Sequence, residues 1–125
     1  MTQRKVLIVD DSPILRRAVR RAVVQAGVGE DAIREASNGA EALAVVEALD
    51  IGLVLLDLHM PVMDGVQFLR ELRDRGNPRA IDVVIVSTES NQERLAEVRS
   101  LGAREVLRKP FEPEQIRDYV RKIAA

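Results

Sequence analysis

The sequence predicts an α/β fold, a doubly wound five-stranded parallel sheet in the order 2-1-3-4-5 with five helices. Three observations predict it. Short apolar runs of strand length alternate with segments whose apolar residues recur at helical spacing. The connections between them are brief and punctuated by Gly, Pro, Asn and Asp. The strongest runs, around Ile8, Leu55 and Val84, are apolar throughout, as in strands buried on both faces.

Lys5 to Val9 is the first strand and ends in Asp10-Asp11. Ser12-Pro13 supplies an N-cap with proline at the first helical position. Leu15, Ala18, Val19, Ala22, Val23 and Ala26 then mark one helical face, and Gly27 ends it. Arg16, Arg17, Arg20 and Arg21 fall opposite, most simply as a solvated face. Docking to an acidic kinase surface is the lesser alternative. Asp31 to Ala36 reads as a short edge strand, and Asn38 with Glu41 as a capping box for a helix using Leu43, Val46 and Leu49.

Ile51 to Leu56 is the central strand, followed by Asp57 and the turn residues Met60-Pro61 and Asp64-Gly65. A helix with Val66, Leu69 and Leu72 inward closes at Arg75-Gly76-Asn77-Pro78. Ile81 to Val86 forms the fourth strand and ends in Ser87-Thr88. Ser90 and Glu93 predict the cap of a helix using Leu95, Val98 and Leu101, which stops at Gly102. Glu105 to Arg108 is the last strand and runs into Lys109-Pro110. Glu112-Pro113 opens the final helix, with Ile116, Val120 and Ile123 inward. No repeat, linker or low-complexity segment interrupts the series.

A length of 125 residues suits one domain, residues 1–125, with a core of its own. A net charge of −1 gives no reason to expect nucleic acid or an anionic membrane as partner. The absence of cysteine excludes disulfides and thiolate metal sites. No apolar run reaches membrane-spanning length, and the one near the N-terminus is too short for a signal peptide, so a cytoplasmic protein is expected. With two Phe, one Tyr and no Trp, the core must be aliphatic and no aromatic platform for bases exists.

In the expected topology the C-terminal ends of strands one, three, four and five meet at one edge of the sheet, where such folds place their ligands. They bring together Asp10 and Asp11, Asp57, Ser87 with Thr88, and Lys109. Three carboxylates about 4 Å apart repel by roughly 1 kcal/mol per pair in water and about 4 near a protein surface. A hard divalent cation relieves that repulsion, and Mg²⁺ fits a site of few carboxylates, several waters and one position open to a phosphate oxygen. Lys109 and the Ser87 hydroxyl can neutralise a phosphoryl group in transfer, and a carboxylate can receive it covalently. The residues therefore read as metal-assisted phosphoryl transfer onto Asp57.

Asp10-Asp11, Asp57 with Met60-Pro61-Val62-Met63-Asp64-Gly65, Ser87 and Lys109-Pro110-Phe111 resemble the motif set of response-regulator receiver domains, which have a flavodoxin-like fold. The resemblance spans the chain, in order and with fitting spacing. It implies a phosphoacceptor module of two-component signalling, single-domain and chemotaxis-type, and not an enzyme with a free substrate. Asp57 would be phosphorylated from a sensor histidine kinase or histidine phosphotransfer domain and would assist its own dephosphorylation. Asp10, Asp11 and Asp57 would hold Mg²⁺, or Mn²⁺ in its place, with the backbone carbonyl of His59. Ser87 and Lys109 would meet the phosphoryl group, and the bond before Pro110 would be cis. The surface of the fourth helix, fifth strand and fifth helix would then pass the change to a downstream protein.

The chain departs from the family pattern at two places. Val106 stands where an aromatic residue is usual and cannot perform its rotamer flip. Thr88 replaces a small residue and narrows access to the site. His59 and Glu89 occupy positions where relatives vary and dephosphorylation speed is tuned.

Plainer readings exist for each residue. Asp57 alone would be a turn residue, Asp10-Asp11 a cap that Ser12 already supplies, Lys109 a solvated lysine and His59 an exposed loop residue. Only their convergence raises the first three above that. A flavin-binding protein would need a hydroxyl- and glycine-rich loop where Asp10-Asp11 stands. An aspartate-based phosphatase would need a second acid at Ser12. A phosphorylation-independent interaction receiver, or a receiver cut from a longer regulator, are the remaining alternatives. The initial Met and the finish at a helix favour a stand-alone domain.

Overall fold

The computed structural model describes residues 4–124. Its elements are β1 (Lys5–Val9), α1 (Pro13–Gln25), a 3₁₀ turn (Glu30–Ala32), β2 (Ile33–Ala36), α2 (Gly39–Ala48), β3 (Ile51–Leu56), α3 (Gly65–Asp74), β4 (Asp82–Ser87), α4 (Gln92–Ser100), β5 (Glu105–Arg108) and α5 (Pro113–Ala124). The strands form one parallel sheet in the order β2-β1-β3-β4-β5, as the alternation predicts. The chain leaves β1 towards β2 on one side and returns through β3 on the other. The ends of β1 and β3 therefore flank the point where the winding reverses.

Strand alternation splits the core into two layers. Leu7, Val9, Val54, Leu56, Val83 and Ile85 point to one face, where α2, α3 and α4 cover them with Leu43, Val46, Phe68, Leu69 and Val98. Val6, Ile8, Leu53, Leu55, Val84, Val86 and Leu107 point to the other, under α1 and α5 with Val19, Val23, Ile116 and Val120. Strands buried twice need no polar face, which is why these runs lack alternation. Phe68 is fully buried. Of the first helix's expected inner face, Val19, Ala22 and Val23 are buried, while Ala18 is exposed.

Several local expectations are corrected. The segment read as a strand from Asp31 begins with a 3₁₀ turn, in which the Ala32 N–H donates to the Gly29 carbonyl at 2.9 Å. Pairing to β1 starts only at Ile33. The strand read from Ile81 starts one residue later, because the Asn77 side chain holds both the N–H and the carbonyl of Ile81. The cap of α4 is Asn91, whose Oδ1 accepts from the Arg94 N–H at 2.9 Å. The helix starts one residue later than Ser90 as cap would require, and Glu89 Oε2 accepts from the N–H groups of Ser90 and Asn91 ahead of it. Asn38 caps α2 as expected, but Glu41 reaches back to Ser37, not to Asn38. The reciprocal capping box occurs instead at α3, between Asp64 and Gln67.

In the turn between β3 and α3, Val62 has φ +69° and is 82% exposed. A β-branched residue in the left-handed region carries strain of about 1–3 kcal/mol, and an exposed side chain recovers little of it by packing. Val62→Asn is expected to stabilise the protein by about 1 kcal/mol in urea unfolding, since Asn tolerates this conformation. A loss of stability in this variant would show that Val62 is not strained.

Candidate functional site

Continuing the alternation beyond the strand ends, Asp10 follows Ile8, Asp57 follows Leu55 and Lys109 follows Leu107 on the same side of the sheet. Three residues from distant parts of the chain thus meet at the reversal point. Lys109 Nζ lies 2.7 Å from Asp10 Oδ2 and 3.8 Å from Asp57 Oδ2. Asp10, Asp57 and Ser87 are the buried polar side chains among the described residues. Asp11 is exposed, yet one carboxylate oxygen from each of Asp10, Asp11 and Asp57 lies within 4.8 Å of the others.

Backbone donors fix the carboxylates. Asp57 Oδ1 accepts from the Leu58 N–H at 2.8 Å, and Asp10 Oδ1 accepts from the Ser12 N–H at 2.9 Å. Asp57 itself is anchored by its N–H to the Val9 carbonyl at 2.9 Å, which continues the β1–β3 ladder past its last pair. Burial pushes the Asp57 carboxyl above its ordinary value. The Lys109 ammonium opposes that rise, Asp10 adds to it, and the His59 backbone and the Ser87 hydroxyl favour the charged form.

Ser87 ends β4 with its side chain buried, and its Oγ accepts from the Glu89 N–H at 3.3 Å. Thr88 is exposed, as strand alternation requires of its neighbour. The Lys109 N–H donates to the Ser87 carbonyl at 2.9 Å, so the two residues are held by one rung between β4 and β5. The Lys109-Pro110 bond is cis. Val106 is partly buried against the α2/α3/α4 layer.

His59 is not drawn into the acidic cluster by its side chain. Its Nε2 lies 3.6 Å from Glu89 Oε1, across the mouth of the site, and the ring is half exposed. The Asn91 N–H above all holds Glu89 below the usual carboxylate range, and His59 and the Ser90 N–H add to this. Sequence reasoning missed Arg16. One of its nitrogens donates to the Asp10 backbone carbonyl at 2.5 Å, where a solvated face was expected. The usable hint was Glu35, a carboxylate on the adjoining edge strand that two arginines one helical turn apart can share.

Three carboxylates face one ammonium, leaving a surplus of two negative charges, the charge of one divalent cation. All the donors are hard oxygens, which suits Mg²⁺ better than a softer metal. A doubly wound domain with an acidic, oxygen-only pocket at its reversal point and a lysine beside one buried strand-end aspartate defines a class of phosphoacceptor module. The chain belongs to the response regulator receiver domain family, whose model matches residues 6–121. It is 34% identical to the nitrate/nitrite response regulator NarL of Escherichia coli K12 over 120 residues, 96% of this chain and 54% of that protein. It is 29% identical to the chemotaxis protein CheY of Thermotoga maritima over 121 residues, 97% of this chain and 98% of that one. The fold matches Vibrio cholerae CheY4 with a TM-score of 0.85 at 30% identity, covering 98% of this chain and 99% of that one. The chain spans about half the length of the NarL-type relatives and nearly all of the CheY-type ones. It is a receiver module of two-component signalling. Among the described residues no helix is long and apolar enough to cross a membrane.

Proposed function

We propose that Asp57 is the phosphoacceptor of a phosphorelay and that Asp10, Asp11 and Asp57, with the His59 carbonyl, hold Mg²⁺. The convergence of the three carboxylates with Lys109 is the observation that carries this reading. Asp57 Oδ1 is occupied by the Leu58 N–H and keeps a lone pair for the metal. Oδ2, on the side of Lys109, attacks phosphorus. The P–N bond of a donor phosphohistidine breaks, and the leaving imidazole takes up one proton. Mg²⁺, when bound, supplies charge neutralisation for the phosphoryl oxygens. Lys109 then exchanges its contact with Asp10 for one with the phosphoryl group, and Ser87 donates its hydroxyl.

The donor is a sensor histidine kinase or histidine phosphotransfer domain, the setting is cytoplasmic, and the output is a downstream protein. The phosphorylated domain assists its own hydrolysis. The added charge of about −2 draws Ser87 and Lys109 inward. That shifts α4, which is attached through only two buried residues of its own (Leu95 and Val98), together with β5 and α5.

The test is label uptake from acetyl phosphate with Mg²⁺ and with excess chelator. Uptake is expected only with the metal, accompanied by amide shifts over residues 90–122 when a phosphoryl mimic is added. Metal-independent labelling, or no labelling at all, would count against the reading. The latter would favour a receiver that works without phosphorylation.

A further inference from the structure

We infer that Arg16 is a positioning residue for the cation, acting through Asp10, and that Glu35 keeps its charge from opposing metal binding. This rests on the metal-binding reading above. Every polar group of Asp10 is engaged. Its N–H donates to the Ala36 carbonyl at 3.1 Å, its Oδ1 accepts from Ser12 and its Oδ2 from Lys109. The remaining group, the carbonyl, accepts from Arg16 Nη1 at 2.5 Å. Asp10 stands just beyond β1: its N–H still bonds to Ala36 on β2, but its carbonyl has left the ladder, and Arg16 is what fixes the Asp10–Asp11 peptide on the far side of the carboxylate-bearing Cα. Outer partners of metal ligands commonly hold them in this way.

A guanidinium near a divalent cation would by itself repel it. Here Arg16 Nε also donates to Glu35 Oε1 at 2.9 Å, and Arg20 Nη1 binds the other oxygen, Oε2, at 3.1 Å. Arg20 also approaches Glu30 Oε1 at 4.0 Å. Glu30 and Glu35 offset the two arginines and Glu41 also lies in the field of Arg16, so Arg16 orients the Asp10 peptide without adding net positive charge beside the pocket. Arg17 and Arg21, on the same helix, are exposed and outside this group.

The test measures Mg²⁺ dissociation constants by calorimetry, with NMR as a cross-check, for the parent, Arg16→Ala, Arg16→Lys, Glu35→Gln and Arg17→Ala. Arg16→Ala is expected to weaken Mg²⁺ about tenfold, the lower end of what removing a ligand's outer partner does. Arg16→Lys should recover part of this, since one ammonium can reach the Asp10 carbonyl but cannot also hold Glu35. Glu35→Gln, a change on the edge strand, should weaken binding about threefold at low salt and less at high salt, because it uncovers a screened charge. Arg17→Ala should match the parent. Binding by Arg16→Ala that is tighter than the parent or within twofold of it would overturn the proposal, because charge would then outweigh positioning. If Arg16→Ala fails to fold, an unchanged constant for Glu35→Gln overturns it instead. A parent that binds no Mg²⁺ would remove the functional reading and this proposal together.

Discussion

Replacing Asp57 with asparagine is expected to reduce phosphoryl uptake by more than about 10³-fold, the scale on which removing a nucleophile acts, while raising the thermal midpoint of the metal-free protein at neutral pH. The loss follows because an amide offers phosphorus no anionic oxygen. The gain follows from the environment. Burial pushes the Asp57 carboxyl above its ordinary value of 3.8, with Lys109 only partly opposing the rise. A raised carboxyl value means that the folded protein holds this proton more tightly than the unfolded chain does. The group's contribution to stability is therefore fully present below 3.8 and is lost as pH rises through the folded value. At neutral pH the charged carboxylate costs stability, and a neutral side chain of the same shape does not. Asparagine also keeps an oxygen for the Leu58 N–H. The same linkage makes Mg²⁺ and a proton compete for Asp57, so parent affinity should fall as pH drops through the raised value. Label uptake, thermal unfolding without metal and Mg²⁺ titration against pH check the three parts. Residual labelling in the variant would move the acceptor elsewhere, and a lowered midpoint would mean that Lys109 outweighs burial.

The fold was legible because both of its periods are written plainly. Runs such as Leu53 to Leu56 have no polar face to expose, and the intervening helices have one. The acidic site was legible for a different reason: strand ends bring Asp10, Asp57 and Lys109 together whatever the helices do. What could not be read was governed by single side-chain choices. Nothing in the order Glu89-Ser90-Asn91 says that Glu89 will take two N–H groups or that Asn91 will be the cap. Periodicity places Arg16 on the solvated side of α1 because it reports the face of a residue, not the reach of a long side chain across to another element. His59 depended on the family resemblance, and its imidazole turns towards Glu89.

Gly65→Ala is expected to cost about 2–4 kcal/mol of stability and to weaken Mg²⁺ binding in the protein that remains folded. Asp64-Gly65 opens the helix: Asp64 caps α3, and Gly65 is its first residue, with no left-handed φ. Its constraint is space. A Cβ there would stand 2.4 Å from the Asp57 carbonyl oxygen and 2.9 Å from the Leu58 Cα. Both are backbone atoms of buried residues just past the end of β3, so neither can turn aside as a side-chain tip would. The start of α3 must instead move out by about 1 Å, which stretches the Gly65 N–H bond to the Leu58 carbonyl, now 3.1 Å. That displacement falls on the peptide units that carry Asp57 and the Leu58 N–H, and the N–H is what fixes Asp57 Oδ1. Packing and metal affinity are therefore coupled through one contact. Urea unfolding and Mg²⁺ titration of the same variant read the two effects. A variant within 0.5 kcal/mol of the parent, a difference typical of neutral surface changes, would show that α3 can retreat freely. An unstable variant with parental Mg²⁺ affinity would show that Asp57 is held by the sheet alone.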